Sequence, residues 1–332
     1  MESVIPKEDC IVYLTHKGYV KRVSAKNINS QNRGTKGKRG IELTEGDFIY
    51  KIFNTNSHSN LFFITENGHV FATKAYNIPD TNRGSYIQNI IEMEEKSKIV
   101  EIVEAKEVTE NNELILFTRS GLVKRTKLTE YNGAFRKRGI NGINLIQGDI
   151  VINGHILESD SEKSVIISTK KAKSIRFNVS EIKAIGRNSK GVRGIKLKSD
   201  DYVIKSALIG DISSLICTIT DQGMAKISSS KDYKEQSRAG LGVICMSLTK
   251  KSGDLISLLS WEKNGESKDL VTLTEKGVIN RIKVEDINPT GRVTKGVKLV
   301  NVKEGDSISM TILADRIKIE NVNELKKDTI NG

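Results

Sequence analysis

Ile11-Val12-Tyr13-Leu14-Thr15-His16-Lys17-Gly18-Tyr19-Val20-Lys21-Arg22 joins two apolar, β-branched runs through a short polar turn that ends in glycine. This is the pattern of a β-hairpin. It returns five times: 61–64 with Gly68-His69-Val70-Phe71, 114–117 with Gly121-Leu122-Val123-Lys124-Arg125, and 165–168 with Ala172-Lys173-Ser174-Ile175-Arg176. The last two are 216–219 with Gly223-Met224-Ala225-Lys226, and 270–273 with Gly277-Val278-Ile279-Asn280-Arg281. Turn positions 18, 68, 121, 172, 223 and 277 give a period of 50 to 54 residues, so the chain is six copies of one structural unit. The fourth copy has Lys171-Ala172 in place of the glycine, and a turn of different geometry is expected there.

Each hairpin is followed by a loop of roughly a dozen residues and then a Gly-Ile/Val-x-Leu segment that reads as a short strand, at 40–43, 142–145, 194–197 and 296–299. A fourth strand follows a Gly-Asp or Asp-Asp turn, as in Asp149-Ile150-Val151-Ile152 and Asp254-Leu255-Ile256-Ser257-Leu258. Four strands per unit, six units and almost no helical periodicity predict an all-β, propeller-like closed array of four-stranded antiparallel blades. Three prolines in 332 residues fit uninterrupted strands. No shift in composition divides 1–332, which reads as a single domain with a polar tail from about residue 314.

The densest charge is Gln31-Asn32-Arg33-Gly34-Thr35-Lys36-Gly37-Lys38-Arg39-Gly40, in which four cations and no carboxylate alternate with glycines. Glycine lets such a segment bend and present its N–H groups together with its side chains. Cations that neutralise a polyanion's phosphates also release counterions. Weaker versions recur in the equivalent loops: Arg136-Lys137-Arg138-Gly139, Arg187-Asn188-Ser189-Lys190-Gly191-Val192-Arg193-Gly194, Arg238-Ala239-Gly240 and Arg292-Val293-Thr294-Lys295-Gly296, with only Arg83-Gly84 in unit two. Equivalent loops of equivalent units lie on one rim, and Lys21, Arg22, Lys124, Arg125, Arg176, Lys226 and Arg281 on the second strands are expected to add to it. A curved basic rim suits bent duplex, since many phosphate contacts can offset the bending cost. Lys and Arg exceed Asp and Glu by 53 to 41, a formal charge of +12 that points to an acidic partner. Base reading is not expected, because no recognition helix is evident.

Other function classes find little support. No apolar run approaches the 18 residues of a membrane-spanning helix, and Met1-Glu2-Ser3-Val4 lacks a signal pattern. Cys10, Cys217 and Cys245 are odd in number, far apart and without a CxxC, and read as small core residues of a reducing cytosol. His16, His58, His69 and His155 show no HExxH or paired spacing, Gly34-Thr35-Lys36-Gly37-Lys38 is too short for a P-loop, and no GxSxG occurs, so no enzyme, metal or cofactor is expected. A propeller serving as an interaction scaffold of the kelch or WD type is disfavoured because the single Trp261 precedes Glu262 and because cations recur at equivalent positions. A carbohydrate-processing propeller would need a pair of carboxylates at a common centre, and none is evident.

The run Glu8-Asp9-Cys10 through Lys21-Arg22 resembles the start of the C-terminal domain of DNA gyrase A. Residues 31–37 resemble that family's QRRGGKG box, matching at Gln31, Arg33, Gly34, Lys36 and Gly37 and departing at Asn32 and Thr35. The six repeats extend the resemblance over essentially the whole chain. It implies a six-bladed β-pinwheel whose blades exchange strands, and double-stranded DNA wrapped around it in a positive sense, with the matching box residues as DNA contacts. It also implies partnership with the N-terminal part of gyrase A and with gyrase B in an A2B2 holoenzyme that uses ATP and magnesium to introduce negative supercoils. The isolated domain is then expected to be a monomer, cytoplasmic and nucleoid-associated. The corresponding C-terminal domain of topoisomerase IV is similar but carries a decayed box, so the box favours gyrase. The family's cleavage tyrosine follows an arginine, and none of the eight tyrosines here does. Catalysis is therefore not expected of this chain alone.

Overall fold

The structure, a computed structural model, describes residues 4–24, 47, 49–81, 84–158, 163–210, 213–263 and 268–315. The basic stretch at 31–40, Arg83 and the tail beyond 315 lie outside the described residues. The six expected hairpins are present. Their first strands are Asp9–Thr15, Asn60–Thr65, Asn112–Thr118, Ser164–Thr169, Leu215–Thr220 and Lys268–Thr274. Their second strands are Tyr19–Ser24, His69–Lys74, Leu122–Lys127, Lys173–Asn178, Met224–Ser229 and Ile279–Lys283. Every first strand ends in Thr, and in five units that hydroxyl accepts a backbone N–H from just past the turn, at 3.1–3.2 Å. A second polar group holds the turn from outside: Asp47, Asp149, Asp201 and Asp306 accept the N–H of Lys17, Ser120, Lys171 and Lys276 at 2.9–3.1 Å. This is the physical content of the recurring Gly-Asp and Asp-Asp pairs.

The turn expected to differ does not. Ala172 has φ 55°, in the left-handed region occupied by the turn glycines of the other units, and donates to the Thr169 carbonyl at 2.9 Å as they do to theirs. Left-handed backbone costs an L-residue on the order of 1–2 kcal/mol. The Ala172 methyl offsets part of this by packing in the core with Ile166, Ile216 and Tyr233.

The third long strand of each unit, Ile49–Asn56, Ile99–Ala105, Val151–Glu158, Val203–Ile209, Leu255–Trp261 and Ile308–Asp315, pairs with the first strand. In every unit the register slips once, beside the terminal Thr of the first strand. Such bulges increase the local twist. In the first five sheets the fourth strand comes from the following unit: Ser85–Tyr86, Ile140–Asn141, Val192–Arg193, Val243–Ile244 and Val297–Lys298 each pair with the second strand of the unit before. These short strands have two residues, and those of units three and four precede the Gly142 and Gly194 expected to begin them. At Gly194 an added Cβ would lie 2.7 Å from Ile167 and 3.3 Å from Val123, so the chain turns inward there and buries Ile195 instead of extending a strand. The sheet of unit six has three strands among the described residues, and Ile279 there is 57% exposed, whereas its counterparts Val20, Val70, Val123, Ser174 and Ala225 are buried. The segment expected to be its counterpart strand, 40–43, lies outside the described residues.

Among the described residues there is no common core. Apolar residues form five slices, each between consecutive sheets, so Leu61 and Phe63 pack towards unit one while Phe62 and Ile64 pack towards unit three. Burial on both faces makes the first strands continuously apolar instead of alternating.

The inner strands of units two to six stand side by side around an axis, that of unit six lies against that of unit one, and the Lys51–Glu101 ion pair joins those of units one and two. Lys51, Glu101, Asn153 and Lys205 occupy the same register position on four of them. Glu101 ion-pairs with Lys51 and reaches Lys205 of the non-adjacent unit four at 3.5 Å. Burial alone would raise the Glu101 carboxyl, but the two ammonium groups hold it down at about 2. Burial first, and then the nearby Lys205 charge, pull Lys51 below its usual range against the opposing pull of Glu101. Asn153 and His155 of unit three bond to Ser206 of unit four at 2.9–3.3 Å. Burial, opposed by Glu101 and reinforced by Lys205, lowers His155 to about 4 from 6.5. The unfolded chain therefore takes up a proton between pH 6.5 and 4 that the folded chain refuses, and stability is lost as pH falls through that window. Urea unfolding of the His155→Gln variant should show a smaller loss of stability between pH 6.5 and 4.5 than the parent. Equal losses would contradict this account of the axis.

Candidate nucleic-acid interface

Sheet order runs inner, first, second, short, so the short strands lie farthest from the axis and mark the rim. Each is reached by a loop that leaves its own second strand and runs along the second strand of the preceding unit, with Ile185 N on Arg125 O at 2.8 Å, Gln236 N on Arg176 O at 2.8 Å and Thr290 N on Ile227 O at 2.7 Å. The glycine before every described short strand (Gly84, Gly139, Gly191, Gly242, Gly296) has positive φ. A Cβ there would lie 2.4–2.7 Å from a carbonyl oxygen of the preceding unit's second strand. Only glycine permits that approach. Recurring glycines in basic loops thus have a structural cause.

The cations divide into two populations. Arg22, Arg125 and Arg176 lie half-buried between units. They donate to carbonyls of the following unit, at Ile78 (3.4 Å), Val179 (3.1 Å), and Ser230 and Tyr233 (3.0 and 3.3 Å). Glu8 and Glu113 pair with the first two at 3.4 and 2.9 Å, and Glu235 with Arg176 at 3.6 Å. Arg187, Arg238 and Arg292 reach the opposite way: each donates through Nη1 to the carbonyl of the second short-strand residue of the unit before, Asn141 (3.3 Å), Arg193 (3.0 Å) and Ile244. Glu130 and Glu181 fix two of these loops by accepting the N–H of Arg187 and Arg238 at 3.1 and 3.0 Å. Arg281 is exposed and paired with Asp269 of its own hairpin.

The second-strand lysines expected on the rim are inside. Lys21 is buried, Lys124 is 0% exposed and Lys226 is 1% exposed. The Lys124 ammonium donates to Thr126 Oγ1 (2.8 Å) and the Gly142 carbonyl (2.7 Å), and that of Lys226 to the carbonyls of Gly291 (3.1 Å) and Arg292 (2.6 Å). The following unit's loop runs along this strand and covers the side chains, which removes them from any outer surface. Burial drives the Lys124 amine down to about 7, aided by Arg187, and that of Lys226 to about 8. Arg136, Lys137, Arg138, Lys190, Arg193 and Lys295 remain exposed on the rim loops. Arg138 lies 3.8 Å from Glu92 with both side chains largely in solvent, a pair worth little. Lys183, Lys196 and Lys298 are further exposed rim cations that the clusters of arginine and glycine did not point to, although Lys298 stands where Arg193 does when counted from the loop glycine. Gln31, Arg33, Gly34, Lys36, Gly37, Lys38 and Arg39 lie outside the described residues.

Cys10, Cys217 and Cys245 are buried thiols, and among the described residues no three His, Cys, Asp or Glu side chains are placed to hold a metal ion. No helix there is long and apolar enough to cross a membrane. The Lys124 assignment has a thermodynamic consequence. Its folded value of about 7 lies below the ordinary 10.5, so the folded chain gives up a proton that the unfolded chain keeps, and stability rises with pH between those values. The slope contributed is at most about 1.4 kcal/mol per pH unit. Lys124→Met should flatten the rise seen by urea unfolding from pH 7 to 9.5. An unchanged slope would contradict the buried placement.

A family model for the DNA gyrase C-terminal domain, described as a beta-propeller, matches six segments, 11–56, 59–102, 112–157, 163–209, 214–262 and 268–311, one for each unit. DNA gyrase A of Helicobacter pylori is 36% identical over 306 residues, covering 91% of this chain and 37% of the relative. Among solved structures, the C-terminal domain of DNA topoisomerase IV superposes with TM-score 0.78 at 25% identity, covering 94% of each chain. A DNA gyrase A C-terminal domain gives TM-score 0.73 at 26% identity, covering 92% of this chain and 99% of that one.

Proposed function

The chain belongs to the DNA gyrase C-terminal domain family, and we propose that it binds double-stranded DNA without regard to sequence and bends it around its basic rim in a positive wrap. The observation that supports this best is the sorting of the cations. Half-buried arginines are spent on backbone carbonyls and three lysines are buried, while Arg136, Lys137, Arg138, Lys190, Arg193 and Lys295 project along one perimeter. A perimeter of cations on anchored loops neutralises phosphates without reading bases. The basic stretch at 31–40 is proposed to extend the same track.

The chain spans 37% of the length of the Helicobacter pylori relative. Its place in a larger enzyme is likewise a proposal: wrapped duplex would be presented to the N-terminal part of gyrase A and to gyrase B in an A2B2 assembly, where ATP and magnesium drive strand passage. This chain would supply the wrap and no catalytic tyrosine, in the cytoplasm and on the nucleoid. A topoisomerase IV origin is the second reading, supported by the TM-score of 0.78. Gyrase is favoured by the relative of 36% identity and by the family match.

The test compares two ways of removing positive charge. Lys190→Ala with Arg193→Ala should weaken binding to labelled linear duplex and make the slope of log affinity against log salt shallower by roughly 1.8, about 0.9 for each phosphate no longer neutralised. Lys124→Met removes an internal amine and should leave that slope unchanged. Equal slopes in all three proteins would overturn the proposal.

A further inference from the structure

The rim is not uniform, and along units four to six the break falls at unit five. Counted from the loop glycine, the residue immediately before it and the second short-strand residue are Lys190 and Arg193 in unit four and Lys295 and Lys298 in unit six, all exposed. In unit five the same positions hold Leu241 and Ile244, which are 50% and 43% exposed. The loop that carries them is held as firmly as its neighbours. Arg238 donates to the Glu181 carbonyl at 3.1 Å and to the Arg193 carbonyl at 3.0 Å, its N–H is taken by Glu181 Oε2 at 3.0 Å, and the Ile244 carbonyl accepts from Arg292. Gly242, at φ 66°, brings the chain against Ser174 as the other loop glycines do against their neighbours. Leu241 and Ile244 are therefore presented outward in place of cations, and not by collapse of the loop. The exposed Lys231 and Lys234 on this loop are each followed by an exposed carboxylate, Asp232 and Glu235.

We infer that a duplex following the rim from unit four to unit six crosses unit five over Leu241 and Ile244 without a phosphate clamp, which makes this sector the weak point of the wrap. The inference rests on the DNA-wrapping reading and adds a location to it. Duplex DNA has a persistence length of about 150 base pairs, so it does not detour around one sector between two that hold it. Apolar side chains release no counterions, so Leu241 and Ile244 contribute nothing to the salt dependence where their counterparts Lys190, Arg193, Lys295 and Lys298 can. Neither side chain packs into a core slice, so both positions accept substitution without touching the fold.

The experiment is a gain of function in the full chain. Leu241→Lys with Ile244→Arg should tighten binding to labelled linear duplex and steepen the salt slope by roughly 1.8, about 0.9 for each newly neutralised phosphate. Leu241→Ala with Ile244→Ala should leave affinity and slope where they were. An unchanged slope in the cationic variant, with Lys190→Ala and Arg193→Ala still weakening binding, would place the duplex away from unit five and overturn the inference while sparing the wrapping proposal. Loss of affinity in the alanine variant would also overturn it, because the apolar pair would then itself hold the DNA. Failure of the Lys190 and Arg193 substitutions to weaken binding would instead defeat the wrapping proposal. Circular dichroism and the melting temperature of each variant separate these outcomes from unfolding.

Discussion

One close approach governs this molecule. At five successive unit boundaries a glycine backbone passes so near a neighbour's carbonyl that a Cβ would sit 2.4–2.7 Å from the oxygen. That passage lets each unit lend a two-residue strand to the sheet before it, covering an edge that would otherwise be open to pairing with other chains. It also forces the connecting loop onto the perimeter. Recurrent perimeter loops, and with them a recurrent surface charge, follow from the way consecutive sheets are joined.

The same joints explain why positive charge in the sequence is a poor guide to positive charge on the rim. A loop lying along a neighbouring strand leaves carbonyls without partners, and unpaired buried carbonyls are costly. Arginine, with its fork of donors, satisfies them across the boundary in both directions: Arg125 and Arg176 forward, Arg187 and Arg238 back. Lys124 and Lys226 do similar work from inside. What the assembly does not consume is left on the rim, and that remainder is uneven from unit to unit. Glu101, shared at the axis by Lys51 and Lys205, ties units that are not neighbours and so binds the ring across its centre.

Much of the fold was legible in the sequence because it is written six times. The period, the hairpin turns and the Gly-Asp turns need only local chemistry, and Thr15 with its five counterparts is a further local mark of each turn. What escaped depended on a neighbour. Whether Lys124 points to water or into the protein is settled by the loop of another unit lying over that strand. The short strands precede Gly142 and Gly194 although the run Gly-Ile-x-Leu looks extended, because its isoleucine is a core plug. Ala172 shows the reverse case, a residue whose own preference opposes the turn that Thr169 and Asp201 impose on it. Of the candidate site, the exposed loop cations were readable as a class. Their sorting into boundary ties and rim contacts was not, since Arg187 and Lys190 differ by three places in the chain and by their whole role in space.

The central claim is that duplex DNA is wrapped with a defined hand around this rim, and DNA topology reports on it directly. A nicked circular plasmid would be ligated with the protein bound, then stripped of protein, and its topoisomers resolved. The account predicts a distribution shifted to positive linking difference in proportion to the protein bound. A distribution identical to that of plasmid ligated alone, at protein concentrations that saturate binding, would contradict it.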